Sequence, residues 1–340
     1  MSDAPLSDSE AAALLARFAH LGPLILAVSG GPDSTAMMGL CARIRAGMGD
    51  VVVTVDHGLR PESRDEAEAV GAFARALGHD HAILTWQGDK PATAVQEKAR
   101  VARYELMRGF LEQRGLAGVM LAHTLDDQAE TVLMRLMGGS GLRGLGGMEP
   151  VTERAGVMLC RPFLGVSKAR LVATCEARGW RFASDPSNDN PAFLRPRLRR
   201  LMPLLAEEGL TAERLATFAA RAREADRALD TMARSALLDS DAALRDRARH
   251  GVLHAPTLLG RSREQAVRML EIGIRAYAPE EVLVLPLEAL EAMAGRLITA
   301  MDNEQGHIGT IAGIKVVLAG DVVRFTRTPP RRRGLFGKAR

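Results

Sequence analysis

Ser29-Gly30-Gly31-Pro32-Asp33-Ser34 is the first stretch of this chain whose residue types could do chemistry. It follows a short apolar run and leads into apolar residues at helical spacing. A strand that ends in Ser-Gly-Gly and turns into a helix aims backbone N–H groups and the positive end of a helix dipole at one place. That makes an anion site, with phosphate as the usual occupant. Gly30 and Gly31 let the backbone approach closely, Ser29 and Ser34 add hydroxyl donors, and Pro32 is tolerated at a helix start, where no N–H is needed. Two familiar phosphate loops do not fit. A Walker A loop ends in Gly-Lys-Ser/Thr, and there is no lysine here. The dinucleotide fingerprint needs a third glycine, where this chain has Pro32-Asp33-Ser34. Taken alone, the same residues also suit a tight βα turn with a capping serine.

Other candidates lie downstream. "VDHGLR" (55–60) leaves a second strand with Asp56 and His57 at its exit, where Asp56 also suits a turn. "QEKARVARYELM" (96–107) puts Arg100, Arg103 and Tyr104 on one helical face, since positions three and four apart are neighbours. The same face could simply be solvated. "LAHTLDDQAET" (121–131) sets His123 at the end of a parallel strand, the edge where open α/β sheets bind ligands. Asp127 and Glu130 follow on one face of a helix that Asp126 could cap. A histidine beside paired acids suits a cation or an amine, although acids in a first turn also complement the helix dipole. "RPRLRR" gathers Arg195, Arg197, Arg199 and Arg200, and Arg331-Arg332-Arg333 lies near the C-terminus.

These residues need elements to position them. Strands are expected at 24–28, 51–57, 81–86 and 118–123, with helices at 33–46, within 61–77, at 92–114 and from about Asp126 to Gly138. Alternating helices with short, continuously apolar, β-branched strands implies an α/β fold with a parallel sheet covered on both faces. "GGSGLRGLGGM" (138–148) has six glycines in eleven residues and reads as a flexible loop without regular structure. "VMLCRPFL" then reads as a strand, "SKARLVATCEARGW" as a helix capped by Ser167, and "SDPSNDNP" as a turn-rich break. From about residue 200 the character changes to Ala/Arg/Leu-rich helical spacing, with strand-like pieces only near 282–285 and 313–326. The expected organisation is a catalytic domain over 1–200 and a smaller, mainly helical accessory domain over 201–340, with the boundary near 195–205.

Composition narrows the classes. The chain has 340 residues, 47% hydrophobic and 25% charged, an ordinary globular balance. No apolar run approaches the ~18 residues that span a bilayer, and "MSDAPLSDSEAAALLARF" lacks the basic and apolar regions of a signal peptide. A cytoplasmic protein with no membrane partner is expected. Three scattered cysteines, Cys41, Cys160 and Cys175, argue against a disulfide framework, and no CxxC supports a zinc or iron–sulfur site. The net charge of +4 hints at an anionic partner. At 4% aromatics, reading single strands by stacking is disfavoured. The oligomeric state is not set by the sequence.

"SGGPDS" resembles the SGGxDS signature of the PP-loop ATP pyrophosphatases, which cleave ATP between the α and β phosphates. In order, "SGGPDS", "VDHGLR", "AHTLDDQAET", "GSGLRGLGGM", "RPFL" and "SDPSN" with its following arginines resemble the tRNA(Ile)-lysidine synthases over about residues 20–200. One departure is Pro196 between the first two arginines. The resemblance implies ligation of free L-lysine to C2 of the wobble cytidine of a CAU-anticodon tRNA(Ile), through an adenylated cytidine. It implies ATP contacts at Ser29, Gly30, Gly31, Pro32, Asp33, Ser34, Asp56 and His57, with Mg²⁺ held with help from Asp33. Catalytic roles fall to Asp33, Arg100, His123 and Asp127, lysine binding to Asp127 and Glu130, and tRNA contacts to Arg143, Arg195, Arg197 and Arg199. The rival within the superfamily is tRNA C2-thiolation, which commonly needs CxxC pairs or a catalytic cysteine.

Overall fold

The computed structural model describes residues 3–58, 63–87, 95–183, 193–239, 251–255, 258, 261–278 and 285–328. The chain forms two compact units, Met1–Gly139 with Gly144–Arg221, and Ser140–Arg143 with Ala222–Arg340.

The first unit carries the α/β fold. Its elements are α1 (Asp8–Ala16), β1 (Ile25–Ala27), α2 (Pro32–Ile44), β2 (Val51–Asp56), α3 (Ser63–Ala76), β3 (Asp80–Thr85), α4 (Val95–Arg114), β4 (Val119–Met120), α5 (Leu125–Met137), β5 (Val151–Arg154), β6 (Val157–Cys160), α6 (Lys168–Ala177) and α7 (Leu194–Glu207). The sheet order is β3-β2-β1-β4-β6-β5. All neighbours are parallel except the hairpin β5–β6. Alternation along the strands divides the core between the two faces. Leu26, Val52, Met120 and Cys160 pack with Met37, Leu40 and Leu171. Ile25, Val51, Val53, Val119 and Leu159 pack with Met107 and Leu111. Strands buried on both faces lose the polar alternation of a half-exposed strand, which is why they read as continuous apolar runs.

The bottom edge of the sheet is pinned by a buried ion pair. The Arg45 guanidinium, just past α2, donates through Nε to Asp50 Oδ2 at 2.6 Å and through Nη2 to Oδ1 at 2.9 Å. It also donates to the Phe18 carbonyl, and Asp50 accepts from the Leu24 N–H. Both side chains are almost wholly buried. The end of α2 and the starts of β1 and β2 are thereby held together.

Local differences from the sequence reading have local causes. Thr124, not Asp126, caps α5, because its hydroxyl accepts from the Asp127 N–H while Asp127 closes the capping box. The glycine-rich segment does hold a regular element, the single turn Leu142–Leu145. Residues 144–148 are fastened to α5: Gln128 exchanges two hydrogen bonds with Met148, and Arg135 donates to the Gly144 and Gly147 carbonyls. Antiparallel β5, mostly exposed and paired with β6 at the sheet edge, carried no apolar signal. Pro196 does not delay α7, since it falls in the first turn, where its missing N–H has no helical acceptor. "SDPSNDNP" (184–191) lies outside the described residues, as do Arg331–Arg333.

The second unit holds the helices Arg263–Tyr277 and Leu287–Asp302 and a four-stranded antiparallel sheet. That sheet comprises Val252–His254, His307–Ile311, Ile314–Ala319 and Val322–Arg327. The strand-like stretch 313–326 is thus a hairpin, while 282–284 lies outside the described residues. The helix Ala212–Asp239 runs through the boundary between the units.

Gly39 tests how tightly α2 is covered. A Cβ built there would lie 2.5–2.6 Å from three atoms of the Trp180 ring. Gly39→Ala is expected to destabilise the fold by about 1–3 kcal/mol through overpacking, outweighing the helix preference of alanine. Gly109→Ala in α4, where a Cβ meets nothing within 4 Å, is expected to stabilise by roughly 0.5–1 kcal/mol. Denaturant midpoints of the two variants moving in the same direction would refute this packing account.

Candidate active site

The sheet order reverses between β1 and β4, and the crevice at that switch point is the ligand edge of an open α/β sheet. A cleft of about 210 Å³ lies there, lined by Ser29, Gly31, Asp33 and Ser34 after β1 and by Val53 and Val55 of β2. Arg103 and Met107 of α4 and Leu121, Ala122 and His123 after β4 complete it.

The glycine loop is built to leave donors open. Gly30 adopts φ +88°, a left-handed conformation that favours glycine. Gly31 is the N-cap of α2 and supplies no side-chain cap, so the first N–H groups of that helix remain for a ligand. Pro32 is the first helical residue. Ser34 Oγ donates to the Gly31 carbonyl at 3.0 Å and accepts from the Ser29 N–H at 3.2 Å, closing the loop on itself. Thr35 donates to the Gly30 carbonyl from the other side.

Asp33 stands at the mouth of α2. Burial pushes its carboxyl up to about 6, against the pull of Lys168, with Asp127 and Asp126 adding to the rise. Lys168 Nζ lies 3.6 Å from Oδ2, while buried Oδ1 has no hydrogen-bond partner. A destabilised carboxylate with an open oxygen is the donor a hard divalent cation takes. Among the described residues no group of three or more His, Cys, Asp or Glu could hold a metal by itself. Mg²⁺ is commonly held by one or two carboxylates plus substrate phosphates, and Asp33 would supply one such carboxylate.

The other expected residues divide. Asp56 accepts from Ser63 Oγ at 2.7 Å and from the Gly58 N–H at 2.8 Å, bonds that hold its carboxyl below the usual range. It therefore orders the exit of β2 and the start of α3. His57 Nε2 meets Arg103 at 3.1 Å, and its ring stands edge-on to Trp86. Both Arg103 and Arg100 are exposed; Arg103 lines the cleft, while Arg100, one turn earlier, leans over Tyr104 at 6.0 Å. His123 lines the cleft. Burial lowers it to about 4, against the opposing pull of Asp127, so its imidazole is neutral at pH 7 and its buried Nδ1 has no partner.

The acids after β4 serve different neighbours. Asp126 Oδ2 accepts from the Lys168 N–H at 2.7 Å and so caps the start of α6. Asp127 spends Oδ2 on the Thr124 capping box and turns Oδ1 toward Arg199, 3.7 Å away. Glu130 is 1% exposed and accepts from Arg199 Nε at 2.5 Å. Burial raises its carboxyl, and Arg199 opposes the rise. Arg199 on α7 is thus brought to the acids, whereas Arg197 and Arg200 on the same helix are exposed. Arg143 belongs to the second unit, where Glu271 holds it at 2.9 Å, with Asp226 and Asp230 at 3.7 and 3.6 Å. Lys168 escaped the sequence reading. Its only signal was its place directly after the capping Ser167.

An uncapped helix at the switch point of a mainly parallel sheet, with a carboxylate at its mouth, defines a PP-loop nucleotide-binding protein, and a PP-loop domain model matches residues 7–205. The tRNA(Ile)-lysidine synthase of Methylobacterium sp. (strain 4-46) is 48% identical over 340 residues, covering 98% of each chain. That of Bradyrhizobium sp. (strain BTAi1 / ATCC BAA-1182) is 47% identical over 345 residues, covering 97% of this chain and 96% of its own. The chain belongs to the tRNA(Ile)-lysidine synthase family. Among solved structures, the U34-tRNA thiolase NcsA from Methanococcus maripaludis with its 4Fe-4S cluster shares the fold at TM-score 0.53 and 16% identity, covering 63% of this chain and 78% of its own.

Asp33 gives the site a pH signature. A carboxyl raised in the folded state stabilises the fold below its ordinary value near 3.8, and that contribution is lost as pH rises through about 6. Asp33→Asn is therefore expected to be more stable than the parent at pH 7 without nucleotide, by roughly 1–3 kcal/mol. The difference should close below pH 4. A variant no more stable than the parent at pH 7 would show that Asp33 carries no such strain.

Proposed function

We propose that this enzyme ligates free lysine to C2 of the wobble cytidine of a CAU-anticodon tRNA(Ile), using ATP and releasing AMP and pyrophosphate. The observation that carries the reading is the meeting of a phosphate loop with an acid pair that already engages a cation. The α2 N-terminus fits the pyrophosphate half of ATP, and the apolar wall of Val53, Val55 and Met107 fits an adenine. Arg199 between Asp127 and Glu130 shows the kind of charge that pair accepts, and a lysine ammonium has the same sign.

Two steps follow. The cytosine C2 oxygen attacks the α-phosphate, the bond to the β-phosphate breaks, and pyrophosphate leaves against the N–H groups of α2. The lysine amine then attacks C2, and AMP departs with the oxygen. Mg²⁺ would be held by Asp33 and would neutralise phosphate charge. The incoming amine has an ordinary pKa near 10.4 and must lose a proton. His123, held near 4, is a weak base for that task and is better suited to hydrogen-bonding as a neutral ring. Asp127, whose Oδ1 is outside the capping box and faces Arg199, is the stronger candidate for receiving the amine. A cytosine reaches such a pocket only after leaving the anticodon stack.

The cysteines speak against sulfur transfer. All three are buried, and burial pushes Cys160 up to about 11, Cys175 up to about 12 and Cys41 higher still. Nucleophilic sulfur chemistry needs a thiolate, and these positions suppress it.

Incubation with labelled lysine, ATP and tRNA transcripts is expected to place label in RNA only when the anticodon is CAU. Asp33→Ala is expected to fold normally yet lose pyrophosphate exchange into ATP by more than about 100-fold, the scale of a lost charge-stabilising group. Label entering other anticodons equally, or normal exchange in Asp33→Ala, would refute the reading.

Arg195 and Arg197 are proposed to meet tRNA phosphates, with Arg199 assigned to the acids. Replacing both with alanine is expected to weaken all tRNAs alike and to flatten the slope of log K against log salt by roughly 1.5, since each phosphate contact releases condensed counterions. An unchanged slope places the RNA surface elsewhere.

A further inference from the structure

The charge of the cleft is one-sided in a way the glycine loop does not explain. A triphosphate must be met by cations, yet residues 29–34 include no basic side chain. The dipole of α2 supplies about half a charge. Arg103 stands on the far wall, joined to His57.

Lys168 stands beside Asp33, which lines the cleft. Its main chain is fixed from three sides. Ser167 caps α6 by accepting from the Arg170 N–H. Asp126 accepts from the Lys168 N–H at 2.7 Å. The helix itself is fastened to the loop, since Cys175 Sγ contacts the Pro32 carbonyl at 3.4 Å. Its side chain is not fixed in this way. It is 42% exposed, and its ammonium lies 3.6 Å from Asp33 Oδ2, at the margin of an ion pair. Asp33 Oδ1 is left without a partner, so the pair is half made. A rigid base, a flexible four-carbon stem and a weak partner at the phosphate end of the cleft describe a cation that waits for a better one.

We propose that Lys168 is a phosphate-binding residue of this site: its ammonium neutralises Asp33 in the ligand-free protein and turns to the pyrophosphate half of ATP when nucleotide arrives. The assignment rests on the reading of the loop as a pyrophosphate site. It supplies from α6 the lysine that a Walker A loop carries within itself.

Calorimetric titration of the purified chain with pyrophosphate, and separately with AMP, tests the assignment without tRNA or lysine. Lys168→Met keeps the stem and removes the charge. It is expected to weaken pyrophosphate binding by about 10- to 100-fold, to leave AMP binding within about twofold, and to be largely rescued as Lys168→Arg. Equal pyrophosphate affinity in parent and Lys168→Met would overturn the assignment alone. A parent that binds no pyrophosphate would overturn the reading of the loop and the assignment with it. A purely local role, in which Lys168 only neutralises Asp33, is separated by repeating Lys168→Met in an Asp33→Asn background. A loss of pyrophosphate affinity that persists there supports direct contact, and a loss that vanishes overturns it.

Discussion

The N-terminus of α2 has no side-chain cap, and the architecture around it can be understood from that omission. A helix start usually satisfies its first N–H groups with a serine, threonine or aspartate. Here the N-cap is glycine, and the nearest hydroxyl, Ser34, points back to the Gly31 carbonyl. Such an end is tolerable only where water or an anion reaches it. The fold provides this by ending β1 at the switch point, where the cleft opens beside the loop. Buried Arg45 and Asp50 fix the other end of the same helix, so the open end is aimed rather than merely exposed.

Around that opening, acids do the work of placement. Asp126, Asp127 and Glu130 lie within five residues, and each is committed differently: to the first turn of α6, to the cap of α5, and to Arg199 of α7. Burial raises the Asp33 carboxyl most, and the charges of Asp127 and Asp126 add to the rise. The site thus stores unfavourable charge in the ligand-free protein, and incoming cations relieve it. Active sites commonly concentrate such perturbed groups.

Much of this was legible in the residues. The order of strands and helices in the first unit followed from apolar runs and glycine punctuation, and the Ser-Gly-Gly turn marked the uncapped start of α2. What escaped detection depended on tertiary partners. Thr124 and Asp126 are both plausible caps by type, and only the packing of α6 beside α5 sends Asp126 to the Lys168 N–H. The four arginines of 195–200 look equivalent in sequence, yet the helical period turns Arg199 to Glu130 while Arg197 and Arg200 stay exposed. Arg100 and Arg103 share a helical face, yet of the two Arg103 lines the cleft. Glycine density suggested disorder at 138–148, but Gln128 and Arg135 lie far enough upstream that no local rule links them to it.

The buried pair of Arg45 and Asp50 also bears on how this sequence can change over time. Losing one member strands the other in the interior, at a cost of roughly 3–5 kcal/mol, a large share of the 5–15 kcal/mol that typically separates folded from unfolded. An apolar pair of matching volume could serve as well, but any lineage reaching it one substitution at a time must first pass through a crippled intermediate. The ion pair is therefore hard to leave by single substitutions, whether or not it is the best solution for that corner of the fold.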